Sequence, residues 1–389
     1  MKQSDNWRIC AIFAPKSTMD STTTVVSTLH LLEPLAQEIY AITANFPEDA
    51  ISSERIHIIS IEIKENAQSS VWVRTPRFIT LQLKMSYHLF NIASKIDVIF
   101  LAAGASTLLL PALLAKLMRK RIISLYPGTD SLQKTAEIAY EKTPFGTGKR
   151  IFLPIIGVLE RLNHRLSDKI VVFRSDPTSS VIRRYATKIS PNGSRFYIDV
   201  NSFKVERKLE NRENLVGYIG RFEEIKGVMN FVKAIPLILS RSPGVKVLVG
   251  GDGSQRDEIE KKIKDANLLN RVTMSGWIPY DKLPQYLNEL KLLIIPSETE
   301  VGPQILFEAL ACGTPVVVTP VGVVPDVVQD GKTGFILENN SPECIAENVI
   351  RALENPNLGE ITRKARKLIE ERYTYELAVE RYRKVLKSL

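Results

Sequence analysis

The chain carries only three cysteines, Cys10, Cys312 and Cys344, among 389 residues. An odd and widely spaced set excludes a disulfide framework and points to a reducing compartment. The four histidines, His30, His57, His88 and His164, have no Cys, Asp or His partner at ligand spacing, so no metal cluster is legible. No Gly-x-Gly-x-x-Gly fingerprint follows the first strand-like run, and no repeat or low-complexity tract stands out. Long charge-free runs are scarce as well. Val98–Ala115 is eighteen residues long, but it contains Gly104, Ser106, Thr107 and Pro111 and reads as strand, turn and helix rather than a membrane span. Met1–Arg8 is polar, and the apolar stretch behind it, Ile9–Pro15, is too short and too late for a secretory leader, so a cytoplasmic chain is expected.

What is present is ordinary in amount and uneven in placement. Apolar residues are 44% and charged residues 24%, which excludes a disordered chain and a multi-span membrane protein. Lys and Arg number 52 against 43 Asp and Glu, a net charge of +9. Residues 1–200 hold 25 basic and 17 acidic side chains, the rest 27 and 26, so the first half is expected to face something anionic. Strand-like runs alternate with helical stretches. In the first half they include Arg8–Ala14, Glu38–Thr43, Arg55–Ile63, Asp97–Ala102, Arg121–Leu125 and Lys169–Phe173; in the second, Leu215–Ile219, Lys246–Gly250, Arg271–Ser275, Lys291–Pro296 and Pro315–Thr319. Several are continuously apolar, as parallel strands covered on both faces must be. The pattern predicts an α/β chain of two doubly wound, Rossmann-like domains. The polar stretch Asn201–Asn214 reads as the linker, giving domains 1–205 and 206–372. The tail 373–389 places Tyr375, Leu377, Ala378, Tyr382, Val385 and Leu386 at helical spacing and is expected to pack back on the first domain.

Open α/β sheets bind ligands beyond the carboxyl ends of their strands, so the loops there carry the chemistry. Gly217–Gly227 runs from a strand into a glycine turn and presents Arg221 and Lys226 at the start of a helix, a site for a diphosphate. Ile294–Pro315 runs from a strand end at Pro296 into a helix beginning near Pro303 and stopping at Gly313, with Glu300 and Glu308 eight residues apart. Glu308, among Leu306, Phe307, Ala309 and Leu310, needs a partner such as sugar hydroxyls or a cation. Gly250-Gly251-Asp252-Gly253 and Ser275-Gly276-Trp277-Ile278-Pro279 are two further loops after strands.

In this order these segments resemble the retaining family 4 glycosyltransferases, of the glycosyl transferases group 1 type and the GT-B fold, which implies two Rossmann-like domains facing across a cleft. The most specific element is Glu300 to Glu308 with its Ala311-Cys312-Gly313-Thr314-Pro315 continuation; Asp330–Phe335, Pro191-Asn192-Gly193 and the tail Tyr373-Thr374-Tyr375 add to it. The resemblance implies that Arg221 and Lys226 bind the donor diphosphate and neutralise the charge that develops on it. It implies that Glu300 lies by the donor sugar, that Gly220, Gly302, Gln304 and Ile305 form the neighbouring backbone turns, that Glu308 accepts the ribose hydroxyls and that Ile278 borders the base. It also implies an enzyme without cofactor or metal, the cationic side chains replacing the ion; the chain has no Asp-x-Asp triplet, the usual metal anchor of the other main glycosyltransferase fold. The expected partners are a nucleotide-sugar donor and a glycan or lipid-linked acceptor, in polysaccharide biosynthesis.

The first domain departs from the family pattern. Where members often have a Gly-Gly loop the chain reads Ala14-Pro15-Lys16-Ser17-Thr18, and Leu125-Tyr126-Pro127-Gly128-Thr129-Asp130 lacks the donor-side histidine of many members. Two alternatives therefore stand beside the transferase: a nucleotide-sugar epimerase of the same fold, and a non-catalytic nucleotide-sugar-binding module. A P-loop reading of Gly331-Lys332-Thr333 fails because Asp326 stands where a glycine is needed. Arg74–Phe90 and Lys142–Lys169 combine cations with apolar stripes, and Lys116–Arg121 adds a basic cluster. These predict a peripheral protein on an anionic membrane surface, at the inner face of the cell membrane; no nucleic-acid-binding module is recognisable, and no nucleic-acid partner is expected.

Overall fold

The computed structural model describes residues 6–14, 20–47, 50–63, 71–102, 104–126, 148–173, 180–190 and 196–389. The chain forms two compact units, Met1–Arg195 with Ala378–Leu389, and Phe196–Leu377.

The first unit runs β1 (Trp7–Phe13), α1 (Asp20–Leu32), β2 (Ala36–Ala44), β3 (Ile56–Ile61), α2 (Val71–Asn91), β4 (Val98–Ala102), α3 (Leu109–Leu117), β5 (Arg121–Tyr126), α4 (Gly148–Leu166), β6 (Lys169–Val172), α5 (Ser180–Arg184) and β7 (Ile189–Ser190). Its strands are all parallel in the order β3-β2-β1-β4-β5-β6-β7. All five residues of β4 are buried, as a strand covered on both faces requires. One face is covered by α2 and α3, whose Leu81, Met85, Leu89, Ala112 and Ala115 pack with Ile12, Ile99 and Ile122 of the sheet. The eighteen-residue run Val98–Ala115 is thus β4, a short turn at Ala105–Thr107 and most of α3. No described helix is long and apolar enough to cross a membrane.

Beneath α4 lies a buried polar group. Glu160 and Asn163 are 4% and 0% exposed; the Ser106 hydroxyl donates to Glu160 at 3.5 Å and the Asn163 amide to the Ser106 carbonyl at 2.6 Å. Burial pushes the Glu160 carboxyl up to about 7, against the Ser106 hydrogen bond. His164 sits between the rings of Tyr126 and Tyr185, at 5.3 and 5.7 Å, and burial, helped by Lys188, pushes its imidazole down to about 4.

The second unit runs β8 (Leu215–Ile219), α6 (Val228–Arg241), β9 (Lys246–Gly250), α7 (Arg256–Asp265), β10 (Val272–Gly276), α8 (Leu283–Glu289), β11 (Leu292–Ile295), α9 (Gln304–Ala311), β12 (Val316–Val318), α10 (Val324–Val327), β13 (Phe335–Ile336), α11 (Pro342–Leu353) and α12 (Leu358–Arg372). The parallel strand order is β10-β9-β8-β11-β12-β13. Helix α6 buries Val228, Phe231, Val232, Ile235 and Ile238, one face of a 3.6-residue period, against β8 and β9. The last helix, α13 (Tyr375–Lys387), sends Tyr382 into the first unit's core, its ring 6.3 Å from Phe100.

The polar stretch Asn201–Asn214 is not a free linker. Phe196, Ile198, Phe203 and Leu209 are buried in the second unit, which begins at Phe196, ahead of the expected boundary at 205/206. Arg212, only 4% exposed, donates to the carbonyls of Arg207, Leu287, Leu290 and Cys312, to Thr314 Oγ1 and to Asn288 Oδ1 at 2.7–3.3 Å. Composition hides this, because a guanidinium supplied with enough acceptors tolerates burial that its charge alone forbids.

Candidate functional site

In the second sheet the strand order reverses between β8 and β11, so the crevice beyond their carboxyl ends is where a ligand is expected. The loops leaving these two strands are stitched together. The Glu298 N–H donates to the Ile225 carbonyl at 2.9 Å. Gly227, at φ 69°, packs so closely on the Pro296 carbonyl that any side chain there would collide with it. That contact sets Lys226, the last residue of the turn Glu224–Lys226, beside Glu300, and the two form an ion pair. Their side chains are 18% and 14% exposed, so the pair is partly desolvated and breaking it costs more than breaking a surface pair. The Ser297 hydroxyl donates to the same carboxylate oxygen at 3.3 Å, and Thr319 Oγ1 holds the Ser297 carbonyl at 2.6 Å. On the far side of Glu300, Gly322 at φ 54° leaves no room for a Cβ against the carbonyls of Glu300 and Val301.

Arg221 lies on the same β8 loop and pairs with Glu223 at 2.7 Å. Its carbonyl accepts from the Tyr218 hydroxyl at 2.7 Å, and burial raises the Tyr218 pKa, which keeps that hydroxyl a donor. Gly220 N–H donates to the Gly250 carbonyl at 3.0 Å and Gly251 N–H to the Gly276 carbonyl at 2.8 Å, which ties the loops after β8, β9 and β10 side by side. Ile278 is buried next to Gly250, at the end of β9.

The other group lies on α9. Gly302 abuts Phe196 and Val323, Pro303 precedes the helix, and Gln304 and Ile305 begin it, so their N–H groups belong to a helix N-terminus. Glu308, 3% exposed, sits one turn on. Burial pushes its carboxyl up to about 8, while hydrogen bonds from the Tyr280 and Gln304 side chains pull the other way. The Gln304 amide also donates to the Tyr197 carbonyl at 3.2 Å.

The sequence-predicted residues thus fall into two groups joined by the segment 300–308: Lys226 with Glu300 and Ser297, and Glu308 with Gln304 and Tyr280. Arg221, Gly220 and Ile278 lie on loops at the same sheet edge. Sequence reading missed Ser297, Glu223 and Tyr280. Ser297 had a legible signal, standing two residues past the strand end and three before Glu300; the other two had none, since their partners are set by loop geometry. The Ala14–Thr18 loop beyond Ala14, residues 127–130 and Pro191–Gly193 lie outside the described residues. Among the described residues no group of three or more His, Cys, Asp or Glu is arranged to hold a metal ion.

Comparison with known proteins covers this unit most closely. The glycosyl transferases group 1 family matches residues 199–373. N-acetyl-alpha-D-glucosaminyl L-malate synthase of Bacillus anthracis is 30% identical over 191 residues, 48% of this chain and 49% of that protein. Poly(ribitol-phosphate) alpha-N-acetylglucosaminyltransferase of Staphylococcus aureus is 30% identical over 179 residues, 45% of this chain and 36% of that protein. The matched region therefore spans about half or less of the length of these relatives. Anabaena HepE, solved in complex with UDP-glucose, shares the fold over 98% of this chain and 100% of its own, with a TM-score of 0.71 at 17% identity. The two parallel sheets with their helices are thus the GT-B fold. The second unit thus carries the domain of the glycosyl transferases group 1 family, over residues 199–373.

Proposed function

We propose that the chain is a retaining glycosyltransferase that moves a sugar from a nucleotide-sugar to a hydroxyl of a lipid-linked or membrane-associated glycan intermediate in polysaccharide biosynthesis. In this reading it works in the cytoplasm at the inner face of the cell membrane. The observation that carries the reading is the half-buried Lys226–Glu300 pair, set by the Gly227–Pro296 contact at the switch point of the sheet. The UDP-glucose complex of HepE and the glycosyl transfer named for the two relatives support it.

The donor lies over the loops after β8 and β11. Its diphosphate meets Lys226, Arg221 and the N–H groups at the start of α9; as the bond from the sugar carbon to the terminal phosphate oxygen breaks, that oxygen keeps the electron pair, and these groups neutralise the extra negative charge as it forms. Such groups accelerate the reaction because the charge they meet grows toward the transition state. The cations do this without a metal or cofactor. Glu300, held by Lys226 and Ser297, faces the donor sugar; Gly220 and Gly302 let backbone approach it; Ile278 borders the base. Glu308 accepts the ribose hydroxyls, which supply the hydrogen bonds that its buried carboxylate needs in order to ionise.

The test is a nucleotide-sugar screen by thermal shift, followed by incubation of each hit with and without acceptor lipids and by mass and anomeric NMR analysis of the product. Transfer with retained configuration supports the proposal. Turnover of donor to an isomeric nucleotide-sugar without acceptor replaces it with an epimerase, and binding without turnover replaces it with a binding module.

A further inference from the structure

Helix α2 buries Leu81, Met85 and Leu89 against the sheet and turns the opposite side outward. That outer side is not polar. Ile79, Leu83, Tyr87 and Phe90, at spacings of four, four and three, are 48%, 57%, 65% and 64% exposed and form one stripe along the helix. Helix α3 packs beside α2 and exposes Leu113 and Leu117, the latter at 81%; α4 packs beside α3 and exposes Ile155 and Val158. Among the described residues, every exposed large apolar side chain of the first unit lies on these three helices. Scattered exposed apolar residues need no explanation, but a stripe continued across neighbouring helices marks a surface that meets something.

Charge selects the partner. Segments 71–91, 109–121 and 148–166 contain eleven Lys and Arg and a single acidic residue, Glu160, which is buried under α4. Lys116 and Arg121 are engaged by Asp168 at 2.7 and 3.7 Å. Arg77, Lys84, Arg161 and Arg165 are exposed on the same helices as the apolar stripes. An apolar face flanked by cations and, among the described residues of these helices, free of exposed carboxylates is complementary to an anionic lipid interface, where apolar groups enter the acyl boundary and cations meet headgroup phosphates. A second copy of the chain would bring the same cations against one another.

We propose that the outer face of α2 and α3, flanked by α4, docks the first unit on an anionic membrane through Leu83, Tyr87, Phe90 and Leu117, with Arg77 and Lys84 at the headgroups. This deepens the reading of a membrane-borne acceptor and rests on it.

The test is co-sedimentation of the full chain with vesicles of phosphatidylcholine alone or mixed in equal parts with phosphatidylglycerol, at low and high salt. Nucleoside diphosphate binding is followed in parallel by calorimetry. Wild type is expected to pellet with the anionic vesicles and to weaken as salt rises. Arg77→Gln with Lys84→Gln is expected to weaken binding by about fivefold per cation. The triple variant Leu83→Gln, Tyr87→Gln, Phe90→Gln is expected to lose the salt-resistant fraction, and both variants to bind nucleotide as wild type does. Equal binding of wild type to neutral and anionic vesicles, or no loss in either variant, overturns the surface while leaving the donor site standing. Failure to bind nucleotide with vesicle binding intact overturns the donor reading instead. A dimer in analytical ultracentrifugation that the triple variant abolishes, without vesicle binding by wild type, replaces the membrane with a second copy of the chain.

Discussion

In the second unit, charge is sunk among loops and helix ends and every buried charged group has a partner: Lys226 meets Glu300, Arg212 meets a set of carbonyls, Glu308 meets Tyr280 and Gln304. In the first unit, Arg77, Lys84, Arg161 and Arg165 flank an exposed apolar face on α2, α3 and α4, and His164, buried between the rings of Tyr126 and Tyr185, has both imidazole nitrogens without a hydrogen bond. The sheets are built on one plan, so the difference lies in the connections. In the proposed reading, a site that must meet a defined anion is assembled from glycine-permitted close contacts between loops, while a surface that meets a fluid interface needs only composition and helical spacing.

The comparison breaks most visibly at Arg212. Arg212→Ala should destabilise the second unit by about 3–5 kcal/mol, since it strands buried carbonyls and opens a cavity. Denaturant unfolding should then show the second unit melting ahead of the first, and coincident unfolding at the wild-type midpoint would contradict a stabilising role for Arg212. Next in size is Gly322→Val, where a Cβ meets the carbonyls of Glu300 and Val301 at positive φ. We expect a loss of about 2–3 kcal/mol and a weakened nucleotide site, read by thermal shift with and without nucleoside diphosphate.

The pH predictions sharpen the contrast. Burial raises the Glu308 pKa to about 8; if Glu308 accepts ribose hydroxyls as proposed, they favour its ionised form, so nucleotide binding is expected to release a proton. Nucleotide affinity should therefore rise with pH through 8, and Glu308→Gln should flatten that rise in calorimetry. The smallest effect belongs to the first unit. The folded state keeps a proton on Glu160 that the unfolded chain gives up, so stability falls as pH rises from about 4.5 to about 7. His164 acts in the opposite sense, its contribution being lost as pH falls from 6.5 toward about 4. Glu160→Gln should remove the fall, a change of about 1–3 kcal/mol in melts across that range.

Much of the fold was legible because buried parallel strands are continuous apolar runs. Leu215–Ile219 and Lys246–Gly250 coincide with β8 and β9, and the other expected runs match their strands to within two residues at each end. Strands β7 and β13, two residues each, carry too little pattern to read. The stretch 201–214 misled because its polar majority conceals Phe203, Leu209 and the buried Arg212. At the site, Gly227, Lys226, Glu300 and Glu308 could be picked from their places after strands, but their pairing could not. Lys226 finds Glu300 only through the contact of Gly227 with Pro296, which depends on two loops far apart in sequence. Likewise the basic, apolar segments of the first half were visible, whereas the outward stripe Ile79–Phe90 needed the helix and its sheet contacts.

The central claim is that the second unit's loop cations act on a departing diphosphate. The most direct measurement is donor affinity and single-turnover sugar transfer for Lys226→Ala and Arg221→Ala beside wild type. Transfer should drop by about 10²–10³ for each variant while the donor Kd changes far less, because the charge they neutralise develops mainly in the transition state. Near-normal transfer by either folded variant, or a loss confined to donor binding, would contradict the account.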